Sequence, residues 1–303
     1  MSIQPFQALA CPLDGAPLRR RDGTWRCPSG HNFDIASQGY THLLPVQQKR
    51  SRDPGDSKEM VSARRRFLNA GFYQPIAAAV SRAALSPPEA ATSQPADTIL
   101  SILDAGCGEG YYLRQLAAED NDQHSLALLG LDISKWAVLA AAKQDRADFK
   151  GKEANEDTTG RMNWVVGSNA KLPVQPGSLD RVLCLFGFPV YAEFARVLKP
   201  GGLLLQVDAG PDHLRELREI IYPAIKPENT SETPPPAGFK QLSTTTIRYP
   251  IDLVTSAQIN DLLIMTPHFF RATADGRARA NGMTSIALTV DVRLSCFERT
   301  PKQ

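Results

Sequence analysis

From about residue 99 the chain predicts a doubly wound, Rossmann-like α/β sheet, with a small Cys/His module in front. Three observations carry this. Apolar runs alternate with helical stretches between 99 and 222. The first run, Ile102-Leu103-Asp104, turns through Gly106, Gly108 and Gly110 into a helical stretch. Cys11, Asp14, Cys27 and His31 crowd into a short segment punctuated by Gly and Pro. Alternation of strand and helix is the pattern of a parallel sheet covered by helices.

The elements follow in order. Residues 9–44 read as the small module, with two Cys-Pro pairs and Trp25, Phe33, Ile35 and Leu43 as a modest core. Residues 45–70 are polar and basic, and Asp53-Pro54-Gly55-Asp56 reads as a turn. Ser57 caps a helix running to Ala70, with Gly71 as its stop. A second helix starts at Gln74-Pro75, where the first turn tolerates Pro. Residues 86–98 read as a linker.

Strands are expected at 99–104, 126–132, 163–166, 179–185 and 202–208. Helices are expected at 110–119, 134–147, 190–198 and 212–222. Residues 148–161 read as a surface insertion and 226–240, with Pro234-Pro235-Pro236, as a loop. Ile286, Leu288, Val290, Val292 and Leu294 alternate with mostly polar residues, the period of a strand with one buried face. Three units result: 1–45, the module; 46–85, a basic linker with helices; 86–303, the α/β domain.

Composition narrows the class. A chain of 303 residues that is 42% apolar has enough material for a real core. Net charge is only +2, but residues 1–75 hold 11 Lys/Arg against 6 Asp/Glu. That asymmetry points to a polyanion-facing N-terminal part, or to a charged face that merely stays solvated. Five scattered cysteines give no disulfide framework. No apolar run reaches the length of a membrane span, and no signal peptide is apparent, so the cytoplasm is the expected compartment.

The glycine turn carries the chemistry. Asp-x-Gly-x-Gly-x-Gly departs from the dinucleotide fingerprint and fits S-adenosylmethionine (SAM), which has no pyrophosphate to hold. Gly106, Gly108 and Gly110 let the methionine tail and ribose approach the backbone. Asp104 meets the tail ammonium. Asp132, ending the next strand, accepts from the ribose hydroxyls. Ser168 and Asn169 follow the third strand, within reach of the adenine edge. Leu198-Lys199-Pro200-Gly201-Gly202 is common in Class I SAM-dependent methyltransferases, whose fold the chain resembles from about residue 72 onward.

The Cys/His module has the donor types of a zinc site, with C-x-x-D and C-x-x-x-H spacings. Two readings stand here. In one, Asp14 completes a tetrahedron with Cys11, Cys27 and His31. In the other, the module has lost a ligand.

The resemblance then becomes close. Cys11-Pro12-Leu13, Cys27-Pro28, His31, Phe33-Asp34, Gly39-Tyr40 and Leu43 to Gln47 begin it. Lys49 to Ser57, Ala63-Arg64-Arg65, Ala70-Gly71, Tyr73 and Pro75 extend it. Asp104 to Tyr112, Gly210-Pro211, His213-Leu214 and Met265-Thr266-Pro267 complete it. Together they resemble the bacterial 23S rRNA guanine-N1 methyltransferases of the RlmA type. The resemblance implies a zinc-ribbon-like, RNA-binding module joined to a Class I domain with a seven-stranded mixed sheet. It implies a dimer acting on a 23S rRNA hairpin. It further implies zinc ligands at Cys11, Cys27 and His31, with Asp14 where the family has Cys. SAM contacts are implied at Tyr73, Glu109, Gly110, Tyr111, Asp132 and His213.

A second departure is Phe186-Gly187-Phe188-Pro189, where the family has a small residue and Pro; these rings are either a sandwich for a flipped guanine or core residues. Lys49, Arg50, Arg52, Arg64, Arg65 and Arg66 are the expected phosphate contacts. Asp208 and Glu193 are candidate proton acceptors by placement alone. Two rivals remain at this stage: a small-molecule methyltransferase with a relic module, and a non-catalytic rRNA-binding protein on the same scaffold.

Overall fold

The computed structural model describes residues 2–49, 51–86, 99–119, 125–149, 161–225 and 234–301. Arg50, most of the expected linker and insertion, and the stretch 226–233 lie outside the described residues.

A three-stranded antiparallel ribbon comes first: β2 (Arg19–Arg21), β3 (Thr24–Arg26) and β4 (Asn32–Asp34), after the short β1 (Ile3–Gln4). Then β5 (Tyr40–His42) joins the main sheet. Helix α1 (Lys58–Asn69) starts at Ser57, whose hydroxyl accepts from Met60 N at 3.2 Å, as its cap position requires. Helix α2 (Gln74–Leu85) carries Pro in its first turn.

The main sheet follows. Its strands are β6 (Ile99–Ala105), β7 (Ser125–Asp132), β8 (Asn163–Val166), β9 (Leu179–Leu185), β10 (Leu198–Ala209), β11 (Phe239–Leu253) and β12 (Ile286–Arg299). Helices α3 (Tyr111–Ala118), α4 (Lys135–Phe149), α5 (Tyr191–Val197) and α6 (Arg215–Ile221) sit between them, with α7 (Ser256–Met265), α8 (His268–Arg271) and α9 (Ala274–Asn281) before β12.

The order across the sheet is β11-β12-β10-β9-β6-β7-β8-β5, with β1 also paired to β7. All pairs from β10 to β5 are parallel; β12 runs antiparallel to both β10 and β11. The expected seven strands are therefore present, and the N-terminal segment adds two more. Within the seven that the resemblance implies, the strand no sequence pattern placed is β11. Its first half, Lys240 to Thr246, is mostly polar and exposed, and only Ile247, Tyr249, Ile251 and Leu253 alternate inward, with Pro250 set among them, so the apolar period is short and interrupted. The loop expected through 240 ends sooner, at the start of β11.

Two cores flank the sheet. On one face Ile102, Leu128, Trp164 and Leu205 pack against Ile76 of α2, Leu113 of α3, Ala141 of α4 and Leu262 of α7. On the other, Leu129, Val165 and Val182 pack against Phe194 of α5 and against Phe6, Leu9, Trp25 and Leu43 of the N-terminal segment. The connection from β8 to β9 holds no helix. Instead Leu9 bridges Val174, with Ala10 N donating to Pro173 O at 2.9 Å. The ribbon segment thus covers apolar sheet surface that a crossover helix would otherwise cover.

Candidate active site and metal centre

β6 ends in Asp104, and Gly106, Gly108 and Gly110 all take positive φ, at +94°, +56° and +80°. Gly110 is the most constrained: a Cβ there would lie 2.5 Å from the Trp164 ring. Only glycine fits a left-handed backbone under an indole. Leu131 O fixes the turn by accepting from Gly106 N at 2.8 Å and Cys107 N at 2.9 Å.

Around this turn lie buried carboxylates without hydrogen-bond partners. Asp104 is 1% exposed and neither oxygen has a hydrogen-bond partner. Burial, then Asp132 and Glu109, push its pKa up to about 8. Glu109 is equally buried and both its oxygens are also unpartnered, although Arg64 offsets part of its burial cost. Buried polar groups left unpaired are rare and costly, so each calls for an explanation. A cationic ligand supplies one.

Asp132 ends β7, as expected, and has a further task in the turn. Its oxygens already accept from backbone, Gly108 N at 2.9 Å and Ser134 N at 2.7 Å. A carboxylate has lone pairs for further donors, so these two bonds leave the acid able to accept more. Asn169 reaches the turn as well, Nδ2 donating to Ala105 O at 3.4 Å while Oδ1 stays buried and unpartnered. Ser168 instead accepts from Ala170 N at 3.2 Å within its own turn. Tyr111 is buried at the start of α3.

Tyr73 and His213 meet from distant segments. His213 Nδ1 accepts from Asp291 N at 3.3 Å, which leaves Nε2–H to donate to the Tyr73 hydroxyl at 3.2 Å. Burial lowers the His213 pKa to about 4, so the ring is neutral. Phe186 stacks on both rings, with centroids 5.9 Å away and planes tilted 28° in each case. Two non-glycine residues in this cluster are left-handed, Phe186 at φ +54° and Leu214 at +52°. Such backbone costs on the order of 1–2 kcal/mol and persists only where packing imposes it.

The basic residues separate. Arg65 and Arg52 are exposed and Lys49 is half-buried. Arg64 is a correction: it faces inward, not toward solvent. It pairs with Asp56 and donates to Met265 O at 3.1 Å, and a Cβ on Gly108 would lie 3.5 Å from its Nη1. Arg66 is likewise engaged, by Asp261 at 2.5 Å. Asp56 O in turn accepts from Ser134 Oγ at 2.7 Å, so the Asp53–Asp56 turn lies against the loop after Asp132. Sequence spacing placed a turn there but held no signal for what it would touch.

The metal site is assembled. The ligand atoms of Cys11, Asp14, Cys27 and His31 all lie within 4.8 Å of one another. Cys11 Sγ and His31 Nδ1 are 3.4 Å apart, His31 Nδ1 and Asp14 Oδ2 3.4 Å, and Cys27 Sγ and Asp14 Oδ2 3.2 Å. Zinc bonds of 2.0–2.3 Å in a tetrahedron give edges of about 3.3–3.8 Å. The donor set fits zinc, and Asp14 is its fourth member. Ala16 N, donating to Asp14 Oδ1 at 3.0 Å, turns Oδ2 toward the other ligands and holds this carboxyl well below the usual range.

A parallel sheet with this glycine turn, orphaned acids for a cationic ligand and an appended zinc centre defines a SAM-dependent methyltransferase carrying a zinc ribbon. The SAM ammonium and sulfonium match the unpartnered carboxylates of Asp104 and Glu109. Comparisons with known proteins agree. Residues 102–202 match the family model described as a methyltransferase domain, and residues 9–52 match the zinc-ribbon model of the RlmA N-terminal segment. A Bacillus subtilis (strain 168) protein named as a candidate 23S rRNA (guanine-N(1)-)-methyltransferase, YxjB, is 30% identical over 294 residues, covering 95% of each chain. A Micromonospora griseorubida protein, named likewise, is 37% identical over 69% of this chain and 68% of its own. The 23S rRNA (guanine(748)-N(1))-methyltransferase of Streptomyces fradiae is 36% identical over 70% of this chain and 67% of its own. The chain belongs to the RlmA-type 23S rRNA (guanine-N1)-methyltransferase family. None of the described helices is long and apolar enough to cross a membrane.

Proposed function

We propose that this enzyme transfers a methyl group from SAM to N1 of a guanine in a 23S rRNA hairpin, in the cytoplasm and as a homodimer. One observation carries the reading: a complete zinc-ligand set and an orphaned acid pair for SAM occur in one chain that aligns end to end with a family relative. Asp14 argues against a relic module, because it closes the metal site rather than vacating it.

SAM supplies an activated methyl on a positive sulfur. The chain's residues position it. Asp104 and Glu109 face the positive end, and Asp132 and the glycine turn face the ribose. Tyr73 presents its hydroxyl at the cleft, oriented by neutral His213. Such alignment is the main catalytic contribution in group transfer of this kind. Phe186, 40% exposed, and Phe188, 89% exposed, stand at the carboxyl end of β9, where a flipped base would stack. Guanine N1 must lose its proton. Glu193 is occupied by Arg196 at 2.7 Å and Leu172 N at 2.7 Å, which removes it as acceptor. Asp208 stays exposed at the end of β10, accepting from Gln206 Nε2 at 2.7 Å, and is the acceptor in this reading.

Mass spectrometry of 23S rRNA from cells with and without the protein tests the proposal. The expected result is one N1-methylguanine present only with the protein. An unchanged rRNA, with purified enzyme inactive on it, would overturn the substrate assignment.

A further inference from the structure

A second concavity opens where β5 and β8 meet the start of α4, beside Lys49 and the Arg52–Pro54 stretch. Lys49, Arg52 and Lys135 line it, with Asp53 as the one carboxylate on that wall. Its remaining wall is His42 and Trp136 over an apolar floor that includes Ile133 and Val166. The cations converge. Burial first, then the charges of Lys49 and Lys135, lower the His42 pKa, so both lysines stand near that ring. Lys58 joins from α1, its Nζ 4.0 Å from the Trp136 ring centroid, and Lys135 lies 5.9 Å from the same centroid.

Excess positive charge gathered in a concavity recruits an anion. An arginine fork and lysine point charges together suit phosphate oxygens. Position identifies which phosphate. On one side, Ile133 follows Asp132, and Gly55 presses on Ser134 so closely that a Cβ there would lie 2.9 Å from Ser134 N. The wall of this concavity therefore continues into the cofactor cleft. On the other side, β5 leads back to the zinc ribbon through the Ile35–Thr41 bridge.

We propose that the Lys49–Arg52–Lys135 concavity is a phosphate subsite that seats the backbone of the substrate RNA between the zinc ribbon and the cofactor cleft. The assignment rests on the rRNA reading above. It adds Lys135, Lys58, Trp136 and His42 to the RNA-facing surface and takes Arg64 out of it.

The test uses the full-length protein and 23S rRNA from cells lacking it, with binding followed across a salt series. Lys135→Ala is expected to weaken RNA binding about tenfold, the worth of one charge-assisted hydrogen bond. It is also expected to reduce the slope of log K against log salt by roughly one, as loss of one phosphate contact requires. SAM affinity should not change. Lys143→Ala, exposed further along the same helix, should leave affinity and slope as in wild type. Wild-type slope and affinity in Lys135→Ala, with wild type still methylating the RNA, would overturn the subsite alone. An equal loss in Lys143→Ala would do the same, because net charge would then explain it. Failure of wild type to bind or methylate the RNA would overturn the rRNA reading and the subsite with it. A wild type that binds an acidic peptide at the same concavity in place of RNA would also overturn it.

Discussion

In the proposed cofactor site, Asp104 is the residue whose charge state responds most directly to a bound cation. Without a cation beside it, the folded protein keeps on this group a proton that the unfolded chain releases near pH 3.8 and the folded one near pH 8. The stability contribution of the protonated group is complete below the lower value and is lost as pH rises through the upper one. A bound ammonium favours the ionised form. SAM affinity should therefore rise about tenfold per pH unit below about pH 8, with close to one proton released per SAM bound. Calorimetry in two buffers of different ionisation enthalpy measures this. Asp104→Asn should bind SAM more weakly and release no such proton; an undiminished proton release would assign the effect elsewhere. Asp132 has a different task, since it accepts from two backbone N–H groups of the turn. Asp132→Ala should abolish methyl transfer while RNA binding is largely retained, and Asp132→Asn should recover part of the stability but not the activity. Wild-type turnover by the alanine variant would remove Asp132 from the site.

At the scale of elements, the turn between β6 and α3 works because Trp164 of β8 packs directly on Gly110. Trp164 is itself held by Asp145 of α4, which accepts from its Nε1 at 3.2 Å. Gly110→Ala should destabilise the protein by about 2 kcal/mol or more, through left-handed strain and overpacking together. Gly282→Ala is the contrast: it lies outside the left-handed region and its Cβ would meet nothing closer than 3.5 Å. Denaturant unfolding of both variants reads the difference, and equal midpoints would contradict the packing account. α1 is the other decisive element. Its Arg64 bonds to Asp56 and to Met265 O, tying the basic segment, α7 and the glycine turn together. Arg64→Ala should therefore raise the SAM dissociation constant several-fold, an effect Arg65→Ala should lack; equilibrium SAM binding to the two variants decides it.

For the molecule as a whole, the zinc ribbon is also part of the sheet's packing. Trp25 and Leu9 share a core with Leu129, Val165 and Val182. Zinc contributes about 10–16 kcal/mol to folding in finger peptides, so its loss here should reach well past the ribbon. Stripping the metal with a chelator, or Cys27→Ala, is expected to lower the melting temperature of the entire protein and expose apolar sheet surface to a dye. An unaltered melt after verified metal loss would show that the ribbon folds by itself against the sheet.

The alternating pattern, the glycine turn, the cap at Ser57 and the Cys/Asp/Cys/His spacing were legible in the chain because each is local. Backbone sterics and side-chain chemistry act there over a few residues, whatever lies elsewhere. Pairings across long separations were not legible. β11 is hidden because its first half is mostly polar and exposed, and the short alternation Ile247, Tyr249, Ile251, Leu253 is broken by Pro250. Arg64 reads as surface charge until α1 folds onto the cleft, and Asp14 reads equally as a fourth ligand or as a lost one until the ribbon turns its Oδ2 toward His31. The sequence by itself determined the central parallel strands, the cofactor class and the family. Which acids lie without hydrogen-bond partners, which arginines are tied into ion pairs and which residue completes the metal-ligand cluster were decided only by tertiary structure, because burial and charge pairing belong to the assembled space and not to the order of residues.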